Sequence, residues 1–233
     1  MITLALDTSE ARGSVAVLRN GVTVASRRRD GSIDYSEWLL PKVEEILAES
    51  QTGMHEVELL AVATGPGSFT GLRVGLTTVK AWAEVYGKKV VGVSRLEALA
   101  RSLKTSSGLV AASYDAQRGQ IFAGLYRRKE ECLAALGGEM VCSPEEFLAR
   151  TDEEAGEERV NWVSLDPELL TGLDAWRKRR KRGDTMEKYA EELAPSIGLL
   201  GEERANRGEL SDPMALDANY VRRADAEIFW KGR

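Results

Sequence analysis

Three short segments hold the residue types from which a phosphate or metal site is built. The first is Asp7-Thr8-Ser9, at the carboxyl end of the alternating run 2–6. A carboxylate and two hydroxyls at that end of a strand can meet a nucleotide phosphate or its metal. The Asp can equally close the strand–loop turn on its own backbone. Glu10 beside it would repel phosphate, and no glycine follows until Gly13. The second segment is Gly65-Pro66-Gly67-Ser68-Phe69-Thr70-Gly71. Glycines leading from a strand into a helix expose amides at a helix N-terminus, where an anion binds. They also let two backbones pack closely. The spacing matches neither G-x-x-x-x-G-K-S/T nor a full G-x-G-x-x-G with a downstream acid. The candidate nucleotide or anion contacts are therefore Asp7, Thr8, Ser9, Gly65, Gly67 and Ser68. The third segment, Arg177-Lys178-Arg179-Arg180-Lys181-Arg182, is either a polyanion contact or a solvated face.

What is missing narrows the chemistry further. His55 is the only histidine in 233 residues. Sites needing two histidines, such as H-E-x-x-H, are therefore excluded, and no histidine stands near a G-x-S-x-G elbow. His55 follows a loop glycine and is expected at the surface. Cys132 and Cys142 are too few for a disulfide framework and are expected as free thiols. No catalytic constellation, no metal site and no cofactor of its own are expected. A formal net charge of −5 argues against a surface wholly given to nucleic acid. No apolar run approaches the ~18 residues of a membrane span. The opening run 2–6 is too short for a signal peptide and lacks a basic start. The expected location is the cytoplasm.

The periodicity predicts strands at 2–6, 14–18 and 22–26, with Asn20-Gly21 as a hairpin turn. A helix over 34–50 carries Leu39, Val43, Ile46 and Leu47 on one face, with Pro41 starting or kinking it. A strand at 58–64, a helix at 72–86, a strand at 90–93 and a helix capped by Ser94 and Glu97 follow. Strand–helix–strand alternation implies a partly parallel sheet. Residues 104–108 read as a polar break. Beyond it come strands at 109–113, 120–126 and 138–142, a helix capped by Ser143, an irregular stretch at 151–185, and a helix at 187–206. Pro195 and Gly198 should break or kink that last helix. The expected division is a first lobe over 1–105, with the tail 221–233 packed on it, and a second lobe over 106–220.

Helix 72–86 is the most unusual element. Leu72, Leu76, Val79, Ala83 and Tyr86 form one apolar stripe, and Val74, Thr78, Ala81, Trp82 and Val85 form another opposite. Arg73, Lys80 and Glu84 share one narrow face. A helix apolar on two sides must be covered on two sides. One cover is its own sheet; the other is the helix at 34–50, a partner chain, or both. Trp38 on that neighbouring helix favours a partner, since interfaces are enriched in aromatics. The candidate interface residues are Trp38, Leu39, Val43, Leu72, Val74, Thr78, Ala81, Trp82 and Val85.

The block Gly65-Pro66-Gly67-Ser68-Phe69-Thr70-Gly71-Leu72-Arg73-Val74-Gly75, with Leu4-Ala5-Leu6-Asp7-Thr8-Ser9, resembles the bacterial TsaB (YeaZ) family of tRNA threonylcarbamoyladenosine biosynthesis. Collinear matches extend the resemblance over nearly the whole chain. They include Tyr35-Ser36-Glu37-Trp38, Gly92-Val93-Ser94-Arg95-Leu96, Asp115-Ala116-Gln117-Arg118 and Tyr220-Val221-Arg222. The resemblance implies an α/β, two-lobed actin-like (ASKHA) fold, each lobe a mixed sheet with helices. It implies a non-catalytic subunit that binds a TsaD-like catalytic subunit through its two N-lobe helices, or a second copy through the same helices. It further implies a TsaE-like ATPase in the assembly, tRNA reached indirectly, and ATP or ADP bound at the level of the complex. Two readings stand beside it: an independent actin-like ATPase or small-molecule kinase, and an M22-type glycopeptidase.

Overall fold

The computed structural model describes residues 1–105, 107–130 and 132–221. The chain divides into two units, one of residues 1–98 and 192–220 and the other of residues 99–191.

The first unit opens with β1 (Ile2–Asp7), β2 (Ser14–Arg19) and β3 (Val22–Arg28), paired antiparallel. Asn20 and Gly21 both take positive φ, 50° and 78°, the geometry of a two-residue hairpin turn. Next come α1 (Tyr35–Glu49), β4 (Leu59–Gly65), α2 (Phe69–Tyr86), β5 (Lys89–Ser94) and α3 (Arg95–Ser102). β4 joins β1 in parallel and β5 joins β4, so the sheet order is β3-β2-β1-β4-β5. Pro41 leaves α1 unbroken. The central strands are buried along nearly their whole length rather than alternately. Such strands need cover on both faces of the sheet.

That cover includes a helix from far along the chain. α7 (Ala194–Asn206), labelled in chain order with the elements below, packs on β1, β2, β4 and β5. A Cβ on its Gly198 would stand less than 3.0 Å from the Leu18 side chain, so glycine allows the close approach. Two expectations are corrected here. The helix expected over 187–206 starts only at Ala194, with Pro195 in its first turn, and runs through Gly198 to Asn206, while Glu187 and Lys188 belong to a strand. It also belongs to the first unit, so residues 192–220 are lost from the expected second lobe over 106–220. The reason is that Ile197 and Leu200 supply the apolar cover the sheet requires. The tail 221–233 lies outside the described residues apart from Val221.

The second unit is built on β6 (Ser107–Gln117) and β7 (Gln120–Lys129), a long hairpin, with β8 (Cys132–Ala135) and β9 (Met140–Cys142) paired to β7. After them come α4 (Pro144–Ala155), β10 (Val160–Ser164), α5 (Glu168–Thr171), α6 (Asp174–Arg182) and β11 (Thr185–Lys188). The main path of the sheet is β11-β10-β6-β7-β8, with β6, β10 and β11 parallel. α4 has the full capping box: Glu146 N–H donates to Ser143 Oγ at 3.2 Å, and Ser143 N–H donates to Glu146 Oε2 at 2.8 Å. The stretch read as irregular is ordered around Trp162, whose ring meets Phe147 and Trp176 edge-on, each at 5.4 Å. Among the described residues no helix is long and apolar enough to cross a membrane.

Candidate partner interface

The loop after β1 and the glycine-rich turn before α2 are brought together, and they meet each other. Gly67 in the turn, and Gly71 and Gly75 four apart on α2, all face the loop after β1. A Cβ on Gly67 would stand less than 3.0 Å from the Ser9 carbonyl oxygen, and one on Gly71 or Gly75 equally close to Thr8 oxygens. The seam is hydrogen-bonded: Ser68 N–H donates to Ser9 O at 2.7 Å, and Thr8 Oγ1 donates to Gly71 O at 2.8 Å. Ser68 also caps α2, its Oγ accepting from Gly71 N–H at 3.3 Å. The Ser68 and Gly71 amides that could have met an anion thus have partners within the chain.

Asp7 is equally engaged. It is 1 % exposed, and its Oδ2 lies 3.0 Å from Nε of Arg95, itself 2 % exposed. Asp7 Oδ1 accepts from the Ser9 amide at 3.0 Å and from the Ser9 hydroxyl. Arg95 also pairs with Glu10 at 3.0 Å. The guanidinium therefore supplies the positive counter-charge of Asp7 from within the chain. The Tyr35 hydroxyl donates to the Glu10 carbonyl and fastens the far side of the loop. Burial holds this phenol well above its ordinary range, and the charge of Asp7 adds to the effect.

Gly71→Ala tests the seam. Forcing a methyl against the Thr8 backbone costs about 3 kcal/mol as overpacking, which lowers Tm by roughly 6–12 °C in a chain of this size. Gly138→Ala, where nothing lies within 4 Å, should leave the melt almost unmoved. Thermal circular dichroism on both variants gives the comparison, and equal melts would refute the close-packing account.

α2 itself has one covered flank and one open flank. Leu72, Leu76, Val79 and Ala83 are buried in the unit's core. Val74, Thr78 and Trp82 are half-buried, Ala81 and Thr77 are exposed, and Val85 is 73 % exposed. At the N-terminal end a groove of about 510 Å³ is lined by Phe69, Thr70, Arg73, Val74, Thr77 and Thr78. Its rim is stiffened by stacking: the Arg73 guanidinium lies 3.7 Å over the Phe69 ring, and the Tyr220 ring is 5.1 Å from Phe69.

Four of the expected interface residues are placed differently. Trp38, Leu39, Val43 and Leu72 are at most 5 % exposed and lie within the unit's own core. Trp38 packs edge-on to Tyr35 at 6.0 Å. What α1 leaves outside is Leu40, 51 % exposed, with Pro41 beside it. Phe69, Thr77 and Leu40 were missed. Phe69 and Thr77 became legible only with the true start of α2: with Ser68 as cap, Phe69, Arg73 and Thr77 fall at four-residue spacing beside Val74 and Thr78.

The comparisons with known proteins agree with this architecture. The chain is 31% identical over 229 residues to the tRNA threonylcarbamoyladenosine biosynthesis protein TsaB of Escherichia coli (strain K12), covering 94% of this chain and 95% of that one. It belongs to the TsaB family. The Bacillus subtilis (strain 168) member is 29% identical over 99% of this chain and 98% of its own length. The family model for TsaD, tRNA N6-adenosine threonylcarbamoyltransferase, matches residues 29–166. The YeaZ structure from Pseudomonas aeruginosa superposes with a TM-score of 0.74 at 25% identity, covering 94% of this chain and 99% of that chain. The fold is the actin-like one, with a mixed sheet and helices in each unit.

The remaining singled-out residues of this TsaB-family chain fall as follows. His55 is exposed. The run 177–182 lies on and ends α6. Its middle residue is structural: Arg179 is 1 % exposed and pairs with Asp184 at 3.1 Å, and Asp184 also accepts from Trp162 Nε1 at 2.9 Å. Cys132 is exposed and Cys142 partly buried. Burial, reinforced by Glu146, pushes the Cys142 thiol up to about 11. Because the thiolate is the nucleophile, Cys142 should alkylate at least about tenfold more slowly at pH 8 than an exposed thiol. Peptide mass spectrometry of a timed iodoacetamide reaction checks this, and matching rates for the two cysteines would contradict it.

Proposed function

We propose that this TsaB-family chain acts in tRNA threonylcarbamoyladenosine synthesis as a non-catalytic subunit that holds a TsaD-like catalytic subunit in its active form. The observation that carries the reading is the open flank of α2, where Ala81 and Val85 are exposed and Val74, Thr78 and Trp82 are only half-covered by their own unit, with Arg73 at the rim. An exposed apolar patch rimmed by polar groups marks a protein contact. A second copy of the chain would use the same face, giving a homodimer when the catalytic subunit is absent. The assembly includes a TsaE-like ATPase, binds ATP or ADP at the level of the complex, and works in the cytoplasm; the chain itself carries no cofactor.

The independent ATPase reading has less support, because Asp7 is saturated by Arg95 and the Ser9 groups, and the Ser68 amide by the Ser9 carbonyl. The glycopeptidase reading lacks a donor set: among the described residues no three His, Cys, Asp or Glu side chains gather as a metal would need. The deciding experiment mixes the purified chain with the TsaD-like subunit of the same organism and follows the complex by size-exclusion chromatography with light scattering. A stable hetero-complex, needed for threonylcarbamoyl transfer to tRNA, is the expected result. Full transferase activity without this chain would refute the proposal.

A further inference from the structure

α6 carries more positive charge than its place in the fold explains. A helix dipole is satisfied by a cation or two in the last turn. Here five of the six basic residues at 177–182 are exposed. At about 100° per residue, Arg180, Arg177, Lys181, Lys178 and Arg182 sweep an arc of about 200° around the helix. Trp176 and Arg179 fill the opposite, buried side.

The acids that pair with this run engage its other cations. Asp174 takes Arg177 at 2.8 Å, Asp152 takes Arg182 at 3.3 Å and reaches Arg179 at 3.5 Å, and Asp184 takes Arg179 at 3.1 Å. Lys178, Arg180 and Lys181 face solvent with no acidic partner among the described residues. A further cation stands at the C-terminal end of the helix. The exposed Arg159 lies against Gly183, the residue that ends α6, where a Cβ would stand 2.9 Å from its Nε. This concentration stands on a chain whose formal net charge is −5.

We propose that this face, made of Lys178, Arg180, Lys181 and Arg159, binds the phosphate backbone of RNA directly, as a second contact of the chain in addition to the α2 flank. Guanidinium and ammonium groups presented without base-reading side chains suit sequence-independent phosphate contact. A lipid surface fits less well. An interfacial helix needs an apolar face to insert, but the apolar side of α6 is buried, and the large exposed hydrophobic residues all lie outside 99–191. The inference rests on membership of a tRNA-modifying family and not on the α2 reading.

The test is fluorescence anisotropy of the full chain against a labelled, unmodified tRNA transcript over a salt series. Neutralising three phosphate contacts with Lys178→Gln, Arg180→Gln and Lys181→Gln together should weaken binding at least about tenfold and flatten the log–log salt slope by about 2 to 3. A control triple, Lys89→Gln, Lys104→Gln and Lys129→Gln, removes the same charge from other exposed positions and should change affinity less than about twofold. Both variants should still capture the TsaD-like subunit, which separates a failure here from a failure of the interface. The proposal is overturned if the unaltered chain does not bind tRNA at low salt, or if the two triples weaken binding alike. Phosphatidylserine vesicles sedimenting with the chain in place of tRNA would also overturn it.

Discussion

Thr78→Arg combined with Val85→Glu abolishes capture of the TsaD-like subunit while leaving the chain folded. Val85 is 73 % exposed and Thr78 is half-buried on the open flank of α2. Surface changes of this kind move stability by about 0.5 kcal/mol or less. Inside a helix-on-helix contact the same two charges would be stripped of water without partners. A joint cost of about 4 kcal/mol raises Kd by roughly a thousandfold. Titration of labelled protein and a reconstituted transfer assay should therefore both fail, with the melt almost unchanged. Leu40→Asp on α1 extends the test to the other helix, because Leu40 is the large apolar side chain that α1 leaves exposed. Trp38→Ala cannot serve, since it empties part of the core and would impair binding by unfolding the unit. Affinity within twofold of the unaltered chain for both surface variants would mean that the partner lies elsewhere or does not exist.

The contrast between Trp38 and Leu40 marks the limit of reading a sequence by period. The 3.6-residue repeat located α1 and α2 and named their apolar faces. It says that a face is covered, not what covers it, so buried and interfacial apolar residues look alike. The β2–β3 hairpin and the cap at Ser143 were legible because their signals are local: two residues that tolerate positive φ, or a hydroxyl just before Pro-Glu-Glu. The place of α7 was not, because nothing in its own residues says which of two sheets it covers. The glycine-rich turn stayed ambiguous for a chemical reason. Amides freed by glycine donate to a phosphate oxygen or a carbonyl oxygen equally well, and here Ser9 supplies the carbonyl. The segment 151–185 hid its order because its core contacts come from isolated residues such as Trp162, Trp176 and Arg179, separated by charge.

The partner of Asp7 was hidden most completely, since Arg95 lies 88 residues away, and it supports the second large effect. Arg95→Met should lower stability by about 3–5 kcal/mol, because removing one member of a buried pair leaves the other charge uncompensated. For a chain of this size that is a fall in Tm of roughly 6–20 °C. Glu10 shares the guanidinium and is partly exposed, so it can turn to water; Asp7, at 1 % exposure, cannot. The loss should therefore be recovered in large part by adding Asp7→Asn. A double-mutant cycle should give a coupling of about 2 kcal/mol or more, whereas values near zero would mean that Arg95 acts through packing alone. The same pair bears on nucleotide. A carboxylate at the carboxyl end of a strand can hold a nucleotide's metal only while it is free, whereas Asp7 has a buried cation of its own. Calorimetry of the isolated chain with Mg-ATP should therefore show no micromolar binding. Micromolar binding and turnover by the unaltered chain would overturn the account of Arg95 as an internal counter-ion and return Asp7 to nucleotide chemistry.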